Sequence, residues 1–375
     1  MNIYKERETC MFCYDKQLTP LWKKSFEIPL GCYVIPDINK QCYTMPFNIL
    51  KCEACKSYQT QFLGNVDIIY DYNANSHGTI RSSMDELFAS FIIKNQNIKS
   101  IVEIGGGNGG LSDIILEKQN SITYTVVDPT YSGNKKNKTI KNTYFENIPD
   151  NEITADTIVM SHVFEHFYEP AKIMKRFKDI SSIQHIFLNF PDLESYIKDD
   201  NYHVLNPEHI FYVENNFIVC LYENYGFQLK NIYYHQKHSV FFEFERCNTI
   251  NNLNLLTLIN ENSIAEVSGF FDRIFDRIDM INSVIAKYPN KSVYIWPCSM
   301  HTIYLFALGL NPDKIEAILD NAPHKIGQYL YGYKKKCIPF KDILEDTTKE
   351  SIVILNGGCY NQEIINKCYK HILFI

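Results

Sequence analysis

No stretch of this 375-residue chain is apolar for long enough to cross a bilayer, a task that takes about 20 consecutive apolar residues in a helix. The amino terminus, MNIYKERETC, lacks the apolar core of a signal peptide. These absences lead us to expect no membrane partner and a cytoplasmic location. A basic excess is missing as well. The 37 Lys and Arg are outnumbered by 43 Asp and Glu, for a formal net charge of -6. A general nucleic-acid partner is therefore not expected, because it would need a basic face to displace counterions. What remains, 45% hydrophobic and 21% charged residues, describes a soluble globular protein. The length is too great for one ordinary core and predicts two or three domains.

Twelve cysteines are present, and in a cytoplasmic chain they are not read as disulfides. Their spacing carries the information. Cys10 and Cys13 form one C-x-x-C word, and Cys52 and Cys55 form another. Each word can wrap two thiolates around one side of a tetrahedral ion, so together they predict a structural zinc knuckle. A closed four-thiolate shell has no open position for substrate, and no catalytic role is assigned to it. Cys32 and Cys42 lie between the two words as spare candidates.

The chain is organised around residues 101–110, IVEIGGGNGG, followed by Asp128 at the end of TYTVVD. A short apolar run, a glycine cluster and a second apolar run ending in an acid spell a βαβ unit that cradles an adenosyl cofactor. Glycines allow the sharp turn and the close backbone approach to a ligand. Asp128 would accept the ribose hydroxyls. Glu103, just before the turn, suits S-adenosylmethionine better than a dinucleotide, so Glu103, Gly105, Gly107 and Asp128 are read as cofactor-binding.

The surrounding chain alternates as an α/β domain does. Residues 83–94 are amphipathic, with Ser83 as the cap and Met84, Leu87, Phe88, Phe91 and Ile92 on one face. Residues 141–145 read as a strand, followed by Glu146 near the adenine. Residues 157–160 form a buried strand whose end, Ser161, is placed at the cofactor, and His166 follows on the loop. Strand carboxyl ends are where open α/β sheets place ligands. Residues 185–191 form the next strand, an amphipathic helix ends at Gly226, and an antiparallel strand pair closes the domain. Tyr70 and Tyr72, ahead of the first helix, either line the site or serve as packing tyrosines. From about residue 291 a second α/β unit begins, with strands at 292–296, 314–319 and 351–355.

The C-x-x-C pairs, EIGGGNGG, VVD, HVFEH, FP and PEHIFY, taken in this order, resemble the sugar-nucleotide C-methyltransferases. These enzymes methylate a carbon beside the ketone of a dTDP-linked 4-keto sugar. The likeness extends through a K-x-G-x-x-x-x-G word, here Lys325, Gly327 and Gly332, and leaves out chiefly residues 252–289. It implies a zinc-binding module over residues 1–66 and a Rossmann-like class I methyltransferase domain over 67–248. It further implies a helical connector over 249–290 and a Rossmann-like C-terminal domain over 291–375. By position it carries catalytic roles to His166, Glu208 and His209, with an imidazole as base, as suits a group titrating near neutrality. The likeness departs at two words. The family's tyrosine before Glu-His is Asn206 here, and its His-Gly-Gly-Ser reads His235, Gln236, Lys237, His238, Ser239. Asn206, His235 and His238, with Tyr70, Tyr72 and Lys325, are read as the substrate side. The expected partner is a small molecule, a nucleotide-linked sugar, bound by a monomer. Methylation at oxygen or nitrogen, and a non-catalytic cofactor-fold scaffold, stand as alternatives.

Overall fold

A computed structural model describes residues 2–23, 25–31, 34–70, 79–206, 208–247, 261–346, 348–357, 361 and 371–375. At its centre lies a seven-stranded sheet. Its strands are β1 (Ser100–Ile104), β2 (Thr123–Val127), β3 (Thr139–Lys141), β4 (Thr157–Ser161), β5 (His185–Pro191), β6 (Phe227–His235) and β7 (Ser239–Arg246). The order across the sheet is β3-β2-β1-β4-β5-β7-β6. β7 alone runs opposite to the other six strands. β1, β4 and β5 are nearly continuous Ile, Val, Phe and Leu because helices cover both faces of a parallel sheet, and Ile158, Val159, Ile186, Phe187 and Leu188 are fully buried. The strand order reverses between β1 and β4, where a doubly wound sheet opens a crevice at its carboxyl ends. The glycine turn leaves β1 there, and the loop with His162 to His166 leaves β4 beside it.

Local boundaries moved where packing competes with propensity. The first helix begins earlier than the Ser83 cap suggested, at Thr79, and runs to Ile92. It buries Met84, Phe88, Ala89 and Ile92, while Leu87 is 41% exposed and leaves the expected face. The strand expected at 141–145 is β3, which ends at Lys141 and gives way to a 3-10 turn, Phe145–Asn147. The expected C-cap stands, with Gly226 at φ 83 and its N–H on the Glu223 carbonyl at 3.0 Å.

The C-terminal region forms a second, wholly parallel sheet in the order Cys337–Ile338, Ala317–Leu319, Ser292–Trp296, Ser351–Leu355, Ile372–Phe374. The N-terminal region forms short antiparallel pieces, among them a sheet in the order Phe211–Tyr212, Tyr58–Thr60, Ile49–Cys52, Leu18–Pro20. One strand of that sheet therefore comes from the far side of the central domain. Val34–Ile35 pairs with Tyr329–Leu330 in the same reciprocal way.

The helix Glu261–Lys287 does more than connect. Its Phe270, Phe271, Ile274, Ile278 and Ile281 are at most 2% exposed and share one core with Trp22, Phe47, Tyr212 and Ile303. Phe270 stacks on Tyr202 at 4.7 Å, and Phe271 meets Tyr212 edge-on at 5.2 Å. Residues 248–260 lie outside the described residues. Among the described residues, no helix is long and apolar enough to cross a membrane.

Candidate functional site

The glycine turn works through backbone geometry. Gly105, Gly107 and Gly109 have φ of 74, 54 and 80 degrees, and a Cβ on Gly105 would fall 2.3 Å from Val163 Cγ2. Only glycine adopts such a turn without strain or collision. The Gly107 amide donates to Asp128 Oδ2 at 2.8 Å, and the Thr130 amide and hydroxyl donate to Oδ1 at 2.7 and 3.2 Å. Asp128 is thus fixed at the end of β2 with its carboxylate aimed at the turn, and its remaining lone pairs suit a ribose diol.

Glu103 lies at the base of the turn. Its carboxylate lies beneath the turn, 3% exposed, and accepts a hydrogen bond from the Tyr124 hydroxyl at 3.1 Å. Burial pushes its carboxyl up to about 7. The acid therefore supports the turn from inside the protein. Ser161 is likewise buried, its hydroxyl accepting from Asn189 Nδ2 at 3.0 Å. Glu146 is exposed in the 3-10 turn beyond β3.

Beyond β4 the chain turns sharply at His162, φ 53 degrees, into the 3-10 turn Phe164–His166. His166 meets the Glu208–His209 pair there. His166 Nδ1 lies 3.0 Å from the Tyr70 hydroxyl and 3.6 Å from Glu208 Oε2, and the His166 and His209 rings are 5.3 Å apart. All three residues read as catalytic are thus brought together, with Tyr70 beside them. Tyr72 lies outside the described residues. His209 Nδ1 donates to the Val204 carbonyl at 2.9 Å, which leaves Nε2 as the nitrogen that takes up a proton. Burial lowers the His209 pKa, and the Glu165 carboxylate opposes that shift, so the neutral, proton-accepting imidazole is favoured.

Asn206, expected on the substrate side, turns inward. It is 7% exposed, its Oδ1 accepts from the Glu208 amide at 2.9 Å, and its carbonyl accepts from the His209 amide at 2.9 Å. It shapes the loop that presents the pair. His235 is also buried, at 2%, and stacks on Phe241 at 5.8 Å. Its Nε2 has no hydrogen-bond partner among the described residues, and burial lowers its pKa. His238 stays half-buried near the cluster, with Nδ1 2.6 Å from Ser239 Oγ and its ring 5.5 Å from that of His162. The residues between them explain the second departure. Gln236 and Lys237 form the β6–β7 turn at φ of 47 and 55 degrees, the left-handed region that two glycines would occupy without strain. Lys325 lies in the turn after the Ala317–Leu319 strand of the C-terminal sheet, where its Nζ donates to Asp320 Oδ2 at 2.8 Å.

The four cysteines converge. Cys10 and Cys55 sulfurs are 3.5 Å apart, Cys13 and Cys52 sulfurs 3.6 Å apart, and all four lie within 4.8 Å of one another. The Phe12 and Cys55 amides point at the Cys10 and Cys52 sulfurs, at 3.4 Å each. A neighbouring thiol, Cys55, helps pull Cys13 down to about 7. Four converging sulfurs, three of them buried, with backbone N–H groups turned toward two of them, fit a tetrahedral zinc ion. Cys42 stands apart, accepting from the Gly332 amide at 3.3 Å, and Cys32 lies outside the described residues.

The acid that sequence reasoning passed over is Glu165. It is 1% exposed, lies 3.2 Å from His162 Nδ1 and 3.8 Å from His209 Nε2, and its position beside His166 in HVFEH was its one sequence signal.

Residues 72–231 match a family model described as a methyltransferase domain. The matched stretch takes in most of the seven-stranded sheet, whose order is that of the class I Rossmann-like α/β fold. No curated protein matches. Among solved structures, the mitomycin 7-O-methyltransferase MmcR is similar over 45% of this chain and 55% of its own, at 16% identity and a TM-score of 0.37. The 1,6-didemethyltoxoflavin-N1-methyltransferase of Burkholderia thailandensis, with bound 1,6-didemethyltoxoflavin and S-adenosylhomocysteine, is similar over 45% of this chain and 80% of its own, at 9% identity and 0.36. The N,N-8-amino-8-demethyl-D-riboflavin dimethyltransferase RosA of Streptomyces davawensis is similar over 44% of this chain and 55% of its own, at 14% identity and a TM-score of 0.36. The chain spans between 55% and 61% of the length of the first three such structures.

Proposed function

We propose that the protein transfers a methyl group from S-adenosylmethionine to a small molecule, and that the acceptor is a nucleotide-linked keto sugar methylated at the carbon beside its ketone. The observation that carries this reading is the meeting of His166, Glu208 and His209 at the carboxyl end of the sheet, next to the Gly105–Gly107 turn and Asp128. Asp128 would hold the ribose, and the glycine backbone would lie against the amino-acid end of the cofactor. Bound there, S-adenosylmethionine supplies an electrophilic methyl on its sulfonium.

A proton beside a ketone leaves only with a base at hand and a donor to the developing oxyanion. His209 Nε2 takes the proton, because Nδ1 is committed to the Val204 carbonyl. His166, held between the Tyr70 hydroxyl and Glu208, faces the enolate oxygen as the donor. Zinc in the Cys10, Cys13, Cys52, Cys55 knuckle has a structural part only. The sugar nucleotide is supported by the family resemblance and by the second parallel sheet, on which Lys325 would exchange Asp320 for a phosphate.

Methylation at oxygen or nitrogen uses the same base and fits the same geometry. Asn206, which turns inward where the family carries its tyrosine, favours it. The two readings part in one experiment. With a dTDP-4-keto sugar and S-adenosylmethionine carrying a 13C methyl, carbon transfer gives a product methyl bonded to ring carbon in the NMR spectrum. A methyl on oxygen or nitrogen discards the carbon reading. No heat with S-adenosylhomocysteine in calorimetry discards both.

A further inference from the structure

Glu165 lies in the middle of the loop beyond β4, buried to 1%. A carboxylate removed from water is costly unless it is paired, and this one is flanked by two imidazoles. Its Oε1 is 3.2 Å from His162 Nδ1 and 3.8 Å from His209 Nε2. Its carbonyl accepts from the Ile210 amide at 3.0 Å, next to His209 in sequence. One residue therefore holds the His209 segment through its backbone and faces the His209 ring through its side chain.

We propose that Glu165 is a positioning residue for His209: its backbone holds the His209 segment, and its carboxylate stabilises the imidazolium that forms when Nε2 takes the substrate proton. This rests on the reading of His209 as the base. The direction of charge supports it. The His209 side chain is 12% exposed, so water solvates an imidazolium there poorly, and a carboxylate across 3.8 Å is the compensating charge. The other titratable groups that face His209 are His162 and His238, which oppose its protonation, and the His166 ring at 5.3 Å. Glu208, its chain neighbour, has its carboxylate turned to His166. On its other side the Glu165 carboxylate lies 3.2 Å from His162 Nδ1, while His162 Nε2 is 3.0 Å from Ser239 Oγ. The Val204 carbonyl thus orients the ring through Nδ1, and Glu165 acts on the Nε2 side through its charge.

The test needs no acceptor. In the full chain labelled with 15N-histidine, the His209 ring signals are identified by their loss in His209→Gln and titrated by NMR. In Glu165→Gln the His209 midpoint should fall by about one pH unit, a tenfold change in proton affinity. A midpoint that stays or rises overturns the proposal. If Glu165→Gln does not fold, Glu165→Asp keeps the charge but withdraws it by one methylene, and should move the midpoint the same way by less; an unchanged midpoint there overturns it equally. The base reading is checked apart, by solvent deuterium exchange beside the ketone of a dTDP-4-keto sugar. Exchange that survives His209→Gln removes the base, and with it the catalytic meaning of Glu165, even where the NMR shift is found.

Discussion

The Thr60 amide donates to the Ile210 carbonyl at 2.9 Å. That bond joins the cysteine module to the loop that ends in Glu208 and His209. Phe211 and Tyr212 continue the join as a strand paired with Gln59 and Tyr58, and Phe12, between Cys10 and Cys13, packs on Phe211 and Phe217 at 5.0 and 4.8 Å. The knuckle therefore holds the loop from one side while Glu165 holds it from the other.

Metal removal should reach the site through this join. Metal analysis should find about one zinc per chain, the content of a single four-thiolate shell. Chelation, or Cys55→Ser, should speed hydrogen exchange at Ile210 to Tyr212 as well as within the knuckle, because thiolates left without an ion cannot close the turn. Faster exchange confined to residues 10–55 would show that the two are uncoupled.

The glycine turn offers a controlled pair. Gly105→Ala places a Cβ 2.3 Å from Val163 Cγ2 at φ 74 degrees, so both strain and collision oppose it, and S-adenosylhomocysteine binding should be lost in calorimetry. Gly327→Ala has a similar φ of 83 degrees but meets nothing within 4 Å. It should cost about 1 kcal/mol of stability from the left-handed backbone alone and leave binding unchanged.

Asp128→Asn replaces one acceptor oxygen by a donor, which cannot face both the Gly107 amide and a ribose hydroxyl. The affinity for S-adenosylhomocysteine should fall at least about tenfold, as expected when a charged hydrogen-bonding group is lost. Equal affinity in the two proteins would remove Asp128 from the cofactor site.

His209→Ala should lower turnover of a dTDP-4-keto sugar by about 10²- to 10⁴-fold, the usual worth of a general base. Its affinity for S-adenosylhomocysteine should stay the same. Loss of both together would point to collapse of the loop instead.

Glu103 sets a pH dependence with a definite sign. Its carboxyl rises from the ordinary 4.5 to about 7 in the fold, so between those values the folded state holds a proton that the unfolded chain has released. Folding should lose stability as pH rises through that window, by about 1.4 kcal/mol for each pH unit crossed. Glu103→Gln, which can still accept from Tyr124, should flatten that slope in denaturant titrations at several pH values.

The elements readable from the chain alone were those whose causes lie within a few residues. Buried parallel strands announce themselves as short apolar runs, positive-φ turns as glycines, and the knuckle as two C-x-x-C words. Hence the βαβ unit with Gly105, Gly107 and Asp128, the antiparallel last pair and the second parallel sheet were all legible, as was the cluster of His166 with Glu208 and His209 through the family likeness. Folding in three dimensions decided what local spacing does not encode: which polar side chains face inward. Glu103 and Asn206 look like site residues in sequence and are buried supports, while Glu165 looks ordinary and lies between two imidazoles. The register that adds Phe211–Tyr212 to the cysteine module, and the burial of Phe270 and Phe271 at its back, depend on contacts between segments far apart in the chain. Such contacts are settled by how apolar surfaces and hydrogen-bonding groups are satisfied together, a property of the whole fold and not of any window of residues.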